Sequence, residues 1–407
     1  MVGHLGTTEL AAASFAINIF HIGMLFGLGV SLGLTPLVGQ SINSKAKNNL
    51  GNWLRNGVLV NLLVSLILCG VMGSVVFFMP QMGQSVEVVN KAIPFYLLHV
   101  VSLIPLLMFF SFKQFLEGIG NTRIAMVITV TINLINIILN YGLIYGKLGL
   151  PALGLNGSGI ATLIARLVMP GIFVVVMLKR PSFRIYLAEA FHSAFDKLKI
   201  KRIVSIGLPV GIQMVIEVLA FSLGAIMLGW ISKESLAGHQ VAISMVAMTY
   251  MISFGLASGT TIRVSHAVGE NDYKEVRQSI VASLHLVIIF MSTMGVLFIL
   301  LQNQLPLLFT SDPAVIKVAA GLLVVGAFFQ IFDGIQVVLL GALRGIADVR
   351  IPMIMAFFSY IVVSLPVSYL LAFVFKLGYS GVWMGLVGGL STAAVLFGLR
   401  LKKSLKK

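Results

Sequence analysis

Two acidic residues lie inside apolar runs. Glu217 sits within IGLPVGIQMVIEVLAFSLGAIMLGW, and Asp333 within AAGLLVVGAFFQIFDGIQVVLLGAL. The other eleven of the 13 Asp and Glu residues fall at the ends of such runs or between them. A charge at the centre of a bilayer costs about 2.5–3.5 kcal/mol on insertion scales. Side chains kept at that cost line interior cavities and bind or move ions. Glu217 and Asp333 are therefore expected to handle a cation, with Na+ as the metal that two carboxylates and nearby amides would hold.

Amides share the faces of these acids. Gln330 and Gln336 lie three residues to either side of Asp333, and Gln213 lies one turn before Glu217. In the first half, Thr129, Asn133, Asn136 and Asn140 follow helical spacing within TVTINLINIILNYG. Such groups can coordinate a cation, share a proton or hydrogen-bond a ligand. Interhelical hydrogen bonding, worth about 0.6 kcal/mol on average, is the plain alternative for the Asn stripe. Pro209, between Gly207 and Gly211, can open a kink near Glu217 and free carbonyls for an ion. Proline is common in spanning helices, so an ordinary kink is the simpler reading. Arg166 lies deep in its run and would pair with an acid or reach an aqueous cavity; no partner is evident. Lys113 lies near a helix end, where snorkelling accounts for it.

The elements that position these residues are membrane helices. Of 407 residues, 58% are hydrophobic and 10% charged, and mean hydropathy is +1.03. A soluble domain averages about 25% charged. Apolar runs of spanning length occur eleven times, near 10–40, 54–79, 93–116, 124–145, 155–178, 203–231, 236–262, 279–301, 315–343, 351–375 and 381–399. Twenty-two of the 28 Lys and Arg residues follow odd-numbered runs. Lys91, Lys147, Lys233, Lys317 and Lys376 follow even-numbered ones, and Arg166 is inside a run. Basic residues mark the cytoplasmic side, so the odd-numbered loops and the tail RLKKSLKK are cytoplasmic. The net charge of +15 thus reflects topology, and nothing argues for nucleic-acid binding. The single cysteine, Cys69, excludes an internal disulfide and has no metal-site spacing.

The chain repeats itself. LAAASFAI at 10–17 matches LAGHQVAI at 236–243, continuing through Gly29/Gly255, Gly33/Gly259, Thr35/Thr261 and Val38/Val264. QFLEGIGNTRIAM at 114–126 matches GALRGIADVRIPM at 341–353. Offsets of 226 and 227 residues span six helices and imply parallel repeats. The expected organisation is an all-α polytopic membrane protein of two six-helix lobes. Residues 1–181 give an N-terminal lobe of five helices, and 182–202 a cytoplasmic linker. Residues 203–400 give a C-terminal lobe of six helices, and 401–407 a basic cytoplasmic tail. The counterpart of helix 203–231 would precede residue 1. The basic-residue pattern also puts the N-terminus outside, yet MVGHLGTTELAA carries no export signal. Both observations lead us to expect one further helix upstream of Met1.

Other chemistry fails on spacing. Gly29-Val30-Ser31-Leu32-Gly33 fits the nucleophile-elbow pattern, but that motif needs a strand-to-helix turn and a His partner. Glycines four apart, at Gly29/Gly33, Gly207/Gly211 and Gly255/Gly259, suit close helix packing instead. No GxxxxGK or HExxH occurs. His239 reads as a packing residue near a helix start rather than a metal ligand.

Taken together, LGTTELAAASFA, GVSLGLTPLVGQ, QFLEGIGNTRIAM, GLPVGIQMVIEV, LAGHQVAISM and FDGIQVVLLGALRG resemble the multidrug and toxic compound extrusion (MATE) transporters, the NorM-like branch in particular. The resemblance runs through essentially the whole chain. It implies two six-helix lobes facing a central cavity, in a bacterial cytoplasmic (inner) membrane protein that acts as a monomer and needs no cofactor. It implies export of cationic, lipophilic compounds in exchange for Na+ or H+. In NorM-like members, acids in the first and fourth helices of the second lobe form the cation site, and Glu217 and Asp333 occupy those positions. The chain departs from the pattern twice. An aspartate carried by the family's first helix has no counterpart in this sequence, and Phe329 stands where some members have tyrosine. A lipid-linked oligosaccharide flippase of the wider superfamily is the alternative. It would favour an arginine- and lysine-lined cavity, whereas only Arg166 is deep. An enzyme would need a paired nucleophile and base, and a channel would show no counter-ion coupling.

Overall fold

The structure, a computed structural model, describes residues 2–42 and 50–405. Among these residues there is no strand, and eleven helical segments are long and apolar enough to cross a membrane. Helices α1 (Thr7–Leu32) and α2 (Leu34–Ile42) form the first crossing, and α3 (Leu50–Ser74) the second. The third joins α4 (Val86–Val101) to α5 (Leu103–Gly118), with Ser102 between them. Helices α6 (Thr122–Tyr145) and α7 (Gly154–Lys179) follow. After α8 (Pro181–His192) come α9 (Lys197–Ile231), α10 (Lys233–Glu270), α11 (Tyr273–Leu300) and α12 (Pro313–Gly345). The tenth crossing combines α13 (Arg350–Phe357) and α14 (Leu365–Tyr369) with π-helical stretches at Phe358–Ser364 and Leu370–Val374. The last is α15 (Gly378–Ser404). Each crossing coincides with an apolar run. The helices overrun those runs because hydropathy marks hydrocarbon, not the end of hydrogen bonding. Thus α10 continues to Glu270 and stops at Asn271, a left-handed cap at φ 61°.

The chain divides into two compact units, Met1–Gly211 and Ile212–Lys407. Residues 182–202, expected to be a linker, form most of α8, a short connection and the start of α9. Helix α8 buries Phe183, Leu187 and Ala190 and is tied to α3. The Gly51 amide donates to Glu189 Oε2 at 2.9 Å, and Arg55 donates to the carbonyls of Ala190, Phe191 and Ser193 at the C-terminal end of α8. A guanidinium there satisfies carbonyls that the helix leaves unpaired. Residues 401–404, expected in the tail, continue α15. Lys45 and Lys47 of the first loop, and Lys406 and Lys407 of the tail, lie outside the described residues.

In the first unit, the glycine spacing has its physical consequence. A Cβ on Gly29 would lie 2.5 Å from Gly211 Cα, and one on Gly33 would lie 2.7 Å from the Gly207 amide nitrogen. Backbones of α1 and α9 therefore touch, as small residues allow. Gly255 and Gly259 do not repeat this: a Cβ at either would meet nothing within 4 Å. Four-residue spacing in the sequence marks a smooth helical face, but only a facing helix makes it a contact. Helix α9 runs unbroken through Pro209.

The second unit is built around α12. Asp312 caps its start, accepting from the Ala314 amide at 2.9 Å, and Pro313 occupies its first turn. Leu322, Leu323, Val338 and Leu340 are buried around its circumference, because α10, α11 and α15 surround it. A helix apolar all round must be enclosed in this way. On α15, Gly381, Gly385 and Gly389 leave room for Ala372, Ser368 and Ser364 of the tenth crossing.

Both units use the same joint. The Thr35 hydroxyl donates to the Gln114 side chain at 2.7 Å and reaches the Gln114 carbonyl at 3.3 Å. The Thr261 hydroxyl donates to the Gly341 carbonyl, the repeat equivalent, at 2.8 Å. Gly118 packs on Val38, and Gly345 packs on Val264. The sequence repeat is thus a repeated structural contact.

Candidate functional site

The acids meet in the second unit. Asp333, on α12, is 3% exposed. Its Oδ1 accepts from Gln336 Nε2 at 3.2 Å, one turn further along the same face. Gln336 is fully buried and its Oε1 has no hydrogen-bond partner. Glu217, on α9, is half-buried. It lies close enough to Asp333, Arg344 and the Gln336 amide to interact with each. Two carboxylates and an amide oxygen thus gather on facing sides of α9 and α12.

The surroundings supply hydroxyls and one cation. Tyr250 of α10 and Tyr360 of the first π-helical stretch both feel the charges of Glu217 and Asp333. Tyr360 is 1% exposed and its hydroxyl is unpartnered, as is the hydroxyl of buried Ser359 beside it. π-Helical turns often mark functional sites, because the extra residue re-aims side chains. Arg344, in the last turn of α12, is 9% exposed, faces Glu217 and Tyr250, and leaves its Nε unpaired. None of the ion pairs found among the described residues includes Glu217, Asp333 or Arg344.

The remaining expected residues separate into different roles. Gln330 is fully buried and accepts from the Thr249 hydroxyl at 3.1 Å, which ties α12 to α10. Gln213 is 2% exposed on α9, with its Nε2 unpaired. Phe329 packs edge-on against Phe221, at 5.9 Å between ring centroids, and against Trp383 at 5.5 Å. In the first unit, Asn140 donates to both the backbone and side-chain oxygens of Asn136, at 2.8 and 3.0 Å. These bonds stay within α6, so that part of the Asn stripe is not an interhelical clasp. Asn133 is exposed.

Sequence reasoning missed Arg344, Tyr250 and Tyr360. Arg344 directly follows the apolar run ending at 343, so it counted among the loop cations. The tyrosines carried no spacing signal; only the Ser359-Tyr360 pair in FFSYIVVS offered adjacent hydroxyls in an apolar context. Other singled-out residues have structural partners. Ser31 donates to the Gly27 carbonyl at 2.8 Å and lies 3.2 Å from Asn61 Oδ1. Trp383 Nε1 donates to His239 Nδ1 at 3.1 Å, a tie between α15 and α10. Lys113, expected to snorkel, pairs with Glu117 at 3.2 Å. Among the described residues no group of three or more His, Cys, Asp or Glu could hold a metal ion.

Comparison with known proteins agrees with this architecture. The MatE family model matches residues 1–142 and 209–370. The chain is similar to the multidrug resistance protein NorM of Vibrio vulnificus, with 32% identity over 98% of this chain and 89% of that protein. It is equally similar to a probable multidrug resistance protein NorM of Bradyrhizobium diazoefficiens, at 32% over 99% and 87%. A mutant of the Vibrio cholerae MATE transporter VcmN has the same fold, with a TM-score of 0.89 at 17% identity, covering 100% of this chain and 90% of that one. Family model, full-length relatives and fold coincide along one chain that crosses the membrane many times: the protein belongs to the MatE family, the multidrug and toxic compound extrusion proteins.

Proposed function

We propose that this multi-pass membrane protein exports cationic, lipophilic compounds across the bacterial cytoplasmic membrane in exchange for Na+ or H+. Glu217 and Asp333 are the exchanging groups. The observation that carries this reading is Asp333. It is enclosed on α12, held by one amide, and has no basic partner within ion-pair distance among the described residues. A buried carboxylate in that position must be neutral or must meet a cation. Binding an ion from one side neutralises it, and losing that ion on the other side restores a charge that attracts a cationic drug. Competition for the same two carboxylates then couples the fluxes.

The donor set suits either ion as cargo. Unpartnered oxygens on Gln336 and Tyr360 beside two carboxylates resemble the oxygen shells of hard cations. Arg344 opposes a further positive charge near Glu217, whether it arrives as a proton or as a sodium ion. The names of the NorM relatives support multidrug export as the cargo class. Efflux of a lipophilic cation from vesicles carrying either a sodium or a proton gradient tests the reading. Efflux driven by one gradient is expected; no response to either would reject cation exchange.

A further inference from the structure

Among the described residues, Arg166 is the deep basic side chain that the proposed exchange does not use. It projects from the middle of α7 in the first unit and is half-buried. Its Nη1 donates to Ser102 Oγ at 2.6 Å, and its guanidinium lies 5.0 Å from the centre of the Phe20 ring. The Ser102 hydroxyl donates in turn to the His99 carbonyl at 2.6 Å, so its one proton is committed. Ser102 is also the residue at which α4 passes into α5 within the third crossing. Phe20 stands between Arg166 and the His99 ring, which it meets edge-on at 5.4 Å. His99 Nδ1 faces the Phe95 carbonyl at 2.9 Å and must donate to it. Exposed His21, next to Phe20, also lies within electrostatic range of Arg166.

No anion answers this cluster. Among the described residues Arg166 enters no ion pair, and the groups around it are a hydroxyl, two imidazoles and an aromatic face. A guanidinium has five N–H donors in a planar fork suited to a carboxylate, and only one is committed here. An unpaired charge at this depth is retained at a cost. The repeat sharpens the contrast. At the 227-residue offset, Ser102 corresponds to Phe329, so the second unit packs an apolar ring where the first unit anchors a cation.

We infer that Arg166, with Ser102 and the Phe20 face, forms a receptor for a carboxylate carried by the transported molecule. The protein then accepts lipophilic cations that also bear a carboxylate. This rests on the proposed export of lipophilic cations and adds a second recognition element to it.

The test uses two dyes that share one cationic ring system, rhodamine 110 with a free carboxylate and rhodamine 123 with that group as its methyl ester. Binding to the purified full chain and efflux from vesicles are measured for both. The wild type is expected to handle both dyes and to favour the free acid. Arg166→Gln should lower the preference for acid over ester by at least about tenfold, the scale of losing a charge-assisted bidentate contact. Arg166→Lys should keep part of it, because charge survives while the fork does not. Proportional loss of both dyes would mean a structural pairing and overturn the inference, as would a wild type that takes the ester and refuses the acid. A preference that appears only in bilayers without anionic phospholipid would assign Arg166 to lipid phosphate and also overturn it. Failure to handle rhodamine 123 at all would instead reject the export of lipophilic cations.

Discussion

Gln336 holds Asp333 from one turn away, donating Nε2 to Oδ1 at 3.2 Å, while its own Oε1 has no partner in a fully buried setting. An amide arranged this way steadies the carboxylate and leaves an oxygen for whatever neutralises it. A buried acceptor without a partner costs about 1–3 kcal/mol, a cost that a cation or hydrogen-bond donor bound there would offset.

Replacing that amide separates positioning from charge. Gln336→Leu should leave the protein inserted and folded, because it also removes the unpaired oxygen. It should raise the concentration of driving cation needed for half-maximal efflux by roughly tenfold to a hundredfold, the worth of one hydrogen bond to a charged group. Cation titration of vesicle efflux measures this, and an unchanged titration would show that Gln336 does not serve the site.

Arg344 faces Glu217 and would work against a cation bound at the proposed site. Arg344→Gln removes a positive charge from the proposed cation site. The driving cation should then half-saturate efflux at a concentration roughly threefold to tenfold lower, while release slows and maximal turnover falls. Weaker cation dependence in this variant would assign Arg344 to packing at the end of α12.

The repeated joint makes a stability prediction that does not depend on function. A Cβ on Gly118 would lie 2.8 Å from Val38 Cβ, and one on Gly345 would lie 2.8 Å from Val264 Cβ. Gly118→Val and Gly345→Val should each destabilise by about 1–3 kcal/mol, the usual cost of overpacking a close contact. Thermal unfolding in detergent should show similar losses for the two. A loss in one only would mean that the joints are not equivalent.

The helices were legible because the bilayer forces them to be. Runs such as 315–343 and 155–178 had no alternative to a spanning helix, and the structure places α12 and α7 there. Glu217 and Asp333 stood out for the same reason, as charges where hydrocarbon penalises them. Position relative to neighbours was not legible. Gly255 and Gly259 share the spacing of Gly29 and Gly33 but face open space, which depends on the opposing helix. Arg344 looked like a loop residue because hydropathy ended one position before it, although its long side chain folds inward. Ser102 carried no signal at all, since an arginine partner on another helix is set by tertiary packing.

Orientation can be checked without transport. The distribution of basic residues predicts that a reporter fused after Lys407 is cytoplasmic and one inserted beside Lys233, where α9 meets α10, is external. Protease and labelling access to the two reporters measures this. The reverse pattern would invert the proposed direction of export.

The central claim is that Glu217 and Asp333 exchange charge with a cation. The most direct measurement is gradient-driven efflux of a lipophilic cation from vesicles containing the Glu217→Gln, Asp333→Asn double variant, at matched protein level. Both changes keep shape and hydrogen-bonding capacity and remove only the ionisable group, so a structural role would tolerate them. Asn136→Ala serves as the comparison and should change drug preference more than coupling. The double variant is expected to lose gradient-driven efflux to the level of empty vesicles. Efflux equal to that of the wild type under the same gradient would contradict the assignment of these two carboxylates.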